Sequence, residues 1–182
     1  MGVSGDNMRK MVNTNQLNLS DGEIHLFDFR MGMLPIQTLT SLFENIYERI
    51  GEEAFEVLFQ AGKTHGQMAI DDIGKAHGVP KKQFIEQTIY TADALGLGEF
   101  KLERIDLEEQ VIAYRIDNSP FKEQFEKSEA LRDLDRPIDE LQRGMFHRVS
   151  QRVLNADTVE TRETHCRFQG DAYCRFVSKG KQ

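Results

Sequence analysis

No tryptophan occurs among the 182 residues, cysteine occurs only twice, and 23 bases are set against 30 acids. The acid excess gives a net charge of −7, which works against nonspecific attraction to nucleic acid or an anionic membrane. Neither is expected as a partner. No apolar run approaches the roughly 20 residues that span a bilayer, and Met1 to Ser20 is polar, without the apolar core of a signal peptide. A cytoplasmic protein is expected. In a reducing compartment, two cysteines eight positions apart form a metal pair, a redox pair or small core residues sooner than a structural disulfide. Catalytic signatures are missing too: there is no serine-histidine-acid spacing and no phosphate-cradling glycine loop. The nearest glycine pair, Gly96-Leu97-Gly98, precedes a strand pattern and not a helix, so an enzyme is not the expected reading.

What remains is ordinary for a soluble globular protein, 39% hydrophobic and 29% charged, at a length that suits one domain. Met1 to about Asp21 has no hydrophobic periodicity and is expected as a mobile tail, leaving residues 22–182 as the domain. Ile24, Leu26, Phe27 and Phe29 crowd into a short strand or buried turn. Leu39, Leu42, Phe43, Ile46, Tyr47 and Ile50 then repeat at helical spacing up to Gly51, where the helix stops. A second helix runs from Glu52 to about Ile70, opening with acids that suit its dipole and holding Gly62 and Gly66 on one face. Small residues four apart admit a second backbone or a ligand, tight helix packing being the plainer of the two.

Pro80 opens a third helix, with Phe84, Ile85, Thr88, Ile89, Ala92 and Leu95 on its buried side and Gly96 at its end. Phe100–Ile105 and Val111–Ile116 read as a hairpin. Phe121–Arg136 reads as a charged linker, helical in part. A fourth helix begins near Pro137 and carries Ile138, Leu141, Met145, Val149 and Val153 along one stripe. Thr158–Cys166 and Tyr173–Ser178 form a closing hairpin. Strand, three helices, hairpin, helix, hairpin is an α+β order: an antiparallel sheet of four to five strands with helices packed on it.

The closing hairpin holds the most informative residues. Glu163, Cys166 and Cys174 flank a turn near Gly170, which brings the two strand ends together, and two thiolates with a glutamate make up most of a zinc site. The string Glu163-x-x-Cys166-x3-Gly170-x3-Cys174-x-Phe176, preceded by a Pro137-led helix with Gly144, resembles the C-terminal signature of the 4-vinyl-reductase domain, a small-molecule-binding module. Leu39–Gly66 resembles that domain's N-terminal half, and Asn118-Ser119-Pro120-Phe121 fits as well, so the likeness spans roughly residues 23 to 178.

The resemblance implies a fold shared with sensor domains of aromatic-responsive activators, haem nitric-oxide-binding domains and vesicle-trafficking subunits. It also implies a structural zinc on Glu163, Cys166 and Cys174, with the family's remaining cysteine falling on Asp139. Glu140 and His147 are other candidates for that fourth place, whereas His165 would point away from Cys166. Without a metal, the thiols could form a reversible disulfide.

The resemblance further implies a stand-alone sensor or carrier for a small apolar molecule, hydrocarbon-like or tetrapyrrole-like. It would act as a homodimer through the first long helix and on a separate regulatory protein. Alternatives are an assembly subunit with a filled cavity, or an accessory factor of vinyl-group reduction. Twelve Phe and four Tyr suit an apolar pocket and equally a solid core. Among the histidines, His65, between Gly62 and Gly66, is the candidate pocket residue, with an exposed helix position as its alternative. His25 and His77 belong to no constellation.

Overall fold

A computed structural model describes residues 3–27, 29–71 and 80–181. The elements run α1 (Val3–Asn13), β1 (Leu17–Ser20), β2 (Glu23–Leu26), β3 (Phe29–Met31), α2 (Ile36–Ile50), α3 (Glu53–Ala69), α4 (Lys81–Ala94), β4 (Glu99–Asp106), β5 (Val111–Asp117), α5 (Lys122–Lys127), α6 (Glu140–Leu154), β6 (Val159–His165) and β7 (Cys174–Gly180). They form a single α+β domain with two antiparallel sheets, one of three strands in the order β1-β2-β3 and one of four in the order β4-β5-β7-β6.

Helices α2, α3, α4 and α6 lie where the 3.6-residue periodicity puts them. Helix α2 follows Pro35 and ends at Gly51, which takes the left-handed φ of +61° that a side chain disfavours. Helix α6 ends on Asn155 in the left-handed region, with the Asn155 amide donating to the Gln151 carbonyl. The four-stranded sheet buries Ile112, Tyr114, Ile116 and Phe176 against Phe146, Val149 and Val153 of α6. The Tyr114 ring stacks on Phe146 at 4.1 Å, and its hydroxyl shares a 2.9 Å hydrogen bond with Ser150. That bond satisfies the one polar atom this large side chain brings into the core.

Glycine sets the closest helix contact. A Cβ at Gly62 would lie 2.1 Å from the Leu141 carbonyl oxygen, and one at Gly144 would lie 2.1 Å from the Phe59 carbonyl oxygen. The Gly62/Gly66 step therefore serves helix packing, with α3 seated on α6.

Three segments differ from the sequence reading. The first 21 residues, expected as a mobile tail, carry α1 and β1 instead. Met11 and Leu17 are buried with Leu26 and Ala94, and two anchors are too few to show as periodicity. The strand expected around 24–29 is two strands, β2 and β3, because the chain reverses past Phe27, whose φ is +53°. The expected linker at 121–136 belongs to a second core, in which Phe121, Phe125, Leu131 and Ile138 pack on Phe43 and Phe55.

Candidate metal centre and cavity

Glu163 and Cys166 are an odd number of residues apart, so a regular strand would send them to opposite faces. The pairing of β6 with β7 slips between Glu163, opposite Phe176, and His165, opposite Arg175. This bulge at Thr164 restores Cys166 to the inner face and turns His165 outward, where its ring stacks on Tyr173 at 5.2 Å. Cys174, two residues before the inward Phe176, shares the inner face. A short helical turn, Arg167–Gln169, and Gly170 at φ +98° close the loop.

Asp139 enters from the start of α6. Its carboxylate, Glu163, Cys166 and Cys174 place one ligand atom each within 4.8 Å of one another. A tetrahedral zinc shell with these donors needs separations of roughly 3.3–3.8 Å, so a modest contraction would close it. The other two candidates for the fourth place are engaged elsewhere. Glu140 accepts from Arg143 Nε at 2.7 Å and from Arg136 at 3.4 Å. The His147 ring packs on Phe59 at 5.3 Å.

The four acids strain one another when no cation neutralises them. Burial raises the pKa of Asp139, and burial followed by the charge of Asp139 pushes Glu163 up to about 11. A hydrogen bond from Cys174 pulls Cys166 down to about 6, and holding that proton raises Cys174. Cys174 Sγ also lies 2.9 Å from Asp139 Oδ2, a second acceptor for the same proton. Glu163 Oε1 is buried with no hydrogen-bond partner, and the Arg167 amide donates to Cys174 Sγ at 3.4 Å. An orphaned carboxylate oxygen, two buried thiols and a second carboxylate fit a divalent cation of zinc type, which would supply the charge that the cluster needs.

A cavity of about 60 Å³ opens on the other side of α3. Leu26, Phe27 and Met31 form one wall, His65 and Met68 of α3 another, and Thr88, Thr91 and Ala92 of α4 with Met145 of α6 complete it. His65 stands at the exposed rim, yet the apolar surroundings push its pKa below the ordinary value by desolvation. A smaller inner void of about 10 Å³, lined by Ile85, Phe100, Tyr114 and Phe146, adjoins it across Thr88, Ala92 and Met145. Sequence reasoning reached His65 and missed the rest, because these residues could equally have filled a solid core. His25 is bonded to Glu23 at 2.7 Å, away from the cavity, and His77 lies outside the described residues.

No family model matches the chain, and no curated protein matches it. Among solved structures, the phenol-responsive sensory domain of the transcription activator PoxR, solved with phenol, is similar, with a TM-score of 0.75 at 17% identity over 99% of this chain and 91% of that one. A trafficking protein particle complex subunit 3 from Naegleria fowleri, covalently bound to palmitic acid, is also similar, with a TM-score of 0.54 at 14% identity over 81% of this chain and 95% of that one. At these identities the likeness is one of fold alone: this chain shares the architecture of those two proteins.

Proposed function

We propose that this protein is a small-molecule-binding sensor or carrier of the 4-vinyl-reductase kind, taking one small, largely apolar guest into the cavity between β2, β3, α3, α4 and α6. The observation that carries the reading is the cavity itself, apolar on nearly every side with an imidazole at its rim. At about 10–15 Å³ of such space per water, it accepts the bulk of a single-ring molecule. A tetrapyrrole is far too large for it. A ring bearing one hydroxyl satisfies both the apolar walls and His65.

In the same reading, Asp139, Glu163, Cys166 and Cys174 hold a structural zinc. Four protein donors leave no position for substrate, so the ion would pin the closing hairpin to α6. The protein works in the cytoplasm and passes its state to a separate regulatory protein. It does so as a homodimer through α2, where Leu42 is 59% exposed and, with Leu39 and Ile46, lines an apolar groove of about 220 Å³.

Native mass spectrometry of the purified protein, with phenol, benzene and palmitate as added probes, tests the reading. It expects a phenol adduct, a melting temperature raised by phenol more than by benzene, and loss of that preference in His65→Ala. No shift with any probe would refute it.

A further inference from the structure

On the side of α3 away from the cavity, Phe59, Lys63 and Gln67 recur every four residues and face Arg143, His147 and Gln151 of α6. Three basic side chains converge on one aromatic ring. Arg143 Cζ lies 4.1 Å from the Phe59 centroid, the His147 ring 5.3 Å, and Lys63 Nζ 5.9 Å. Arg148 is held beside them by two neutral acceptors, Nε donating to Gln67 Oε1 at 2.7 Å and an Nη donating to Gln151 Oε1 at 3.0 Å.

Arg143 is paired with Glu140. Among the described residues no carboxylate lies within 4 Å of Lys63 or Arg148, although the protein as a whole carries a charge of −7. His147 Nδ1 is buried without a partner. Burial, and then the charges of Lys63, Arg143 and Arg148, hold its pKa below the ordinary value, so the ring sits in a positive local field, offset at Arg143 by Glu140 and approached at Gln67 by Asp71. Cations placed only for solubility would be spread over the surface. These are gathered on a rigid helix pair, one of them fixed at two of its nitrogens.

We propose that the α3–α6 seam is a binding site for a doubly charged oxyanion, a phosphate or phosphomonoester group, held between Lys63, His147 and Arg148, with Arg143 adding to the field. Two positive charges, Arg148 held in place and Lys63 free to close on the ligand, match a dianion and leave a singly charged carboxylate under-used. The site is independent of the cavity guest and of the metal cluster.

The test follows the His147 ring resonances of the intact protein by NMR at pH 7 and low salt, as sodium phosphate, phosphoserine, sodium acetate or sodium chloride is added at matched ionic strength. Phosphate is expected to give a saturable shift, about tenfold or more tighter than acetate. Equal binding of phosphoserine assigns the site to phosphomonoesters, and weaker binding assigns it to free phosphate; both support the proposal. Lys63→Gln and Arg148→Gln are each expected to weaken phosphate about tenfold. Lys63→Gln, which alters a side chain with no hydrogen-bonded partner, keeps the test valid if the Arg148 variant fails to fold. A shift that tracks ionic strength alone, is matched by chloride, or is unchanged in Lys63→Gln means an adventitious ion only and overturns the proposal. Phenol binding and metal content, measured on the same samples, report separately on the cavity and the cluster.

Discussion

Gly144→Ala is the most direct test of the frame on which both candidate sites are built. The added Cβ would lie 2.1 Å from the Phe59 carbonyl oxygen, where ordinary contact begins at 3.4 Å, so the shortfall is 3.4 minus 2.1, or 1.3 Å. The Lys63 amide nitrogen would be at 3.0 Å. Both are backbone atoms of α3, and no rotamer change relieves the overlap; the helix must move bodily. Overpacking costs about 1–3 kcal/mol where side chains can give, and more where they cannot. Against this, alanine gains about 1 kcal/mol in helix propensity over glycine. The net loss should be about 2 kcal/mol or more. At about 2–4 °C per kcal/mol for a domain of this size, the melting temperature should fall by roughly 4–8 °C at least. Calorimetry on the variant measures it, with Gly32→Ala as the control, since a Cβ there meets nothing within 4 Å and its φ is unremarkable. That control should stay within about 0.5 kcal/mol of the parent. If Gly144→Ala melts no lower than the parent, α3 and α6 do not meet at this point and the reasoning fails.

Zinc loading at neutral pH should release protons from Glu163, raised to about 11, and from Cys174, also raised, and few from Cys166 at about 6. Titration calorimetry in buffers of differing ionisation enthalpy counts these protons, and zero release would contradict the assignment. In the metal-free protein the Glu163 contribution is whole below its unfolded pKa near 4.3 and is lost as pH rises toward about 11. The Cys166 contribution is whole above about 8.5 and is lost as pH falls through about 6. From these two groups, the metal-free melting temperature should therefore fall between about pH 4.5 and 6 and level off from about 6 to 8.5, where their opposite slopes cancel. Cys166→Ser should lose the zinc and several kcal/mol of stability, on the order of 3. Asp139→Cys should keep the zinc, and elemental analysis of both distinguishes the outcomes. Met145→Ala should merge the cavity with the inner void and cost about 2–5 kcal/mol. Larger single-ring guests should then stabilise the variant more than the parent in a thermal-shift series.

The sequence disclosed what is periodic and hid what is singular. Helices α2, α3, α4 and α6 and both hairpins of the larger sheet could be read because each repeats its apolar residues many times over. Helix α1 could not, with Met11 as the one deeply buried anchor among its described side chains. The β2–β3 reversal was hidden because Phe27 takes a positive φ usually reserved for glycine or asparagine. Charge disguised 121–136 as a linker, while Phe121, Phe125 and Leu131 were the part that packs. At the candidate centre, Glu163, Cys166 and Cys174 stood out by spacing, and Asp139 only through family resemblance. Nothing in the spacing announces the bulge at Thr164 that puts Glu163 and Cys166 on one face. Choosing among Asp139, Glu140 and His147 needed knowledge of their other contacts, which one helix's sequence does not contain.

One helix links all of these features. Asp139 stands at the N-terminal end of α6, Gly144 seats the helix on α3, Met145 walls the cavity, and Ser150 bonds Tyr114 on the sheet. Placing a charged cluster at that end is physically apt, because the helix N-terminus favours negative charge and the first-turn amides have no partners inside the helix. Exchanging a thiolate for a carboxylate at Asp139 leaves the summed charge of the four ligands unchanged and replaces a sulfur donor with a harder oxygen. Under the proposed reading, a site altered in this way would still serve as a clamp, which depends on charge and on four donors converging. A metal there would fix α6 to the closing hairpin at one end, while the Tyr114–Ser150 bond fixes it to the sheet further along. The wall that α6 gives the cavity is then the rigid one. Under the proposed function, accommodation of a guest would fall to the opposite wall, where Leu26 and Met31 rest on a three-stranded sheet with only a small core of its own.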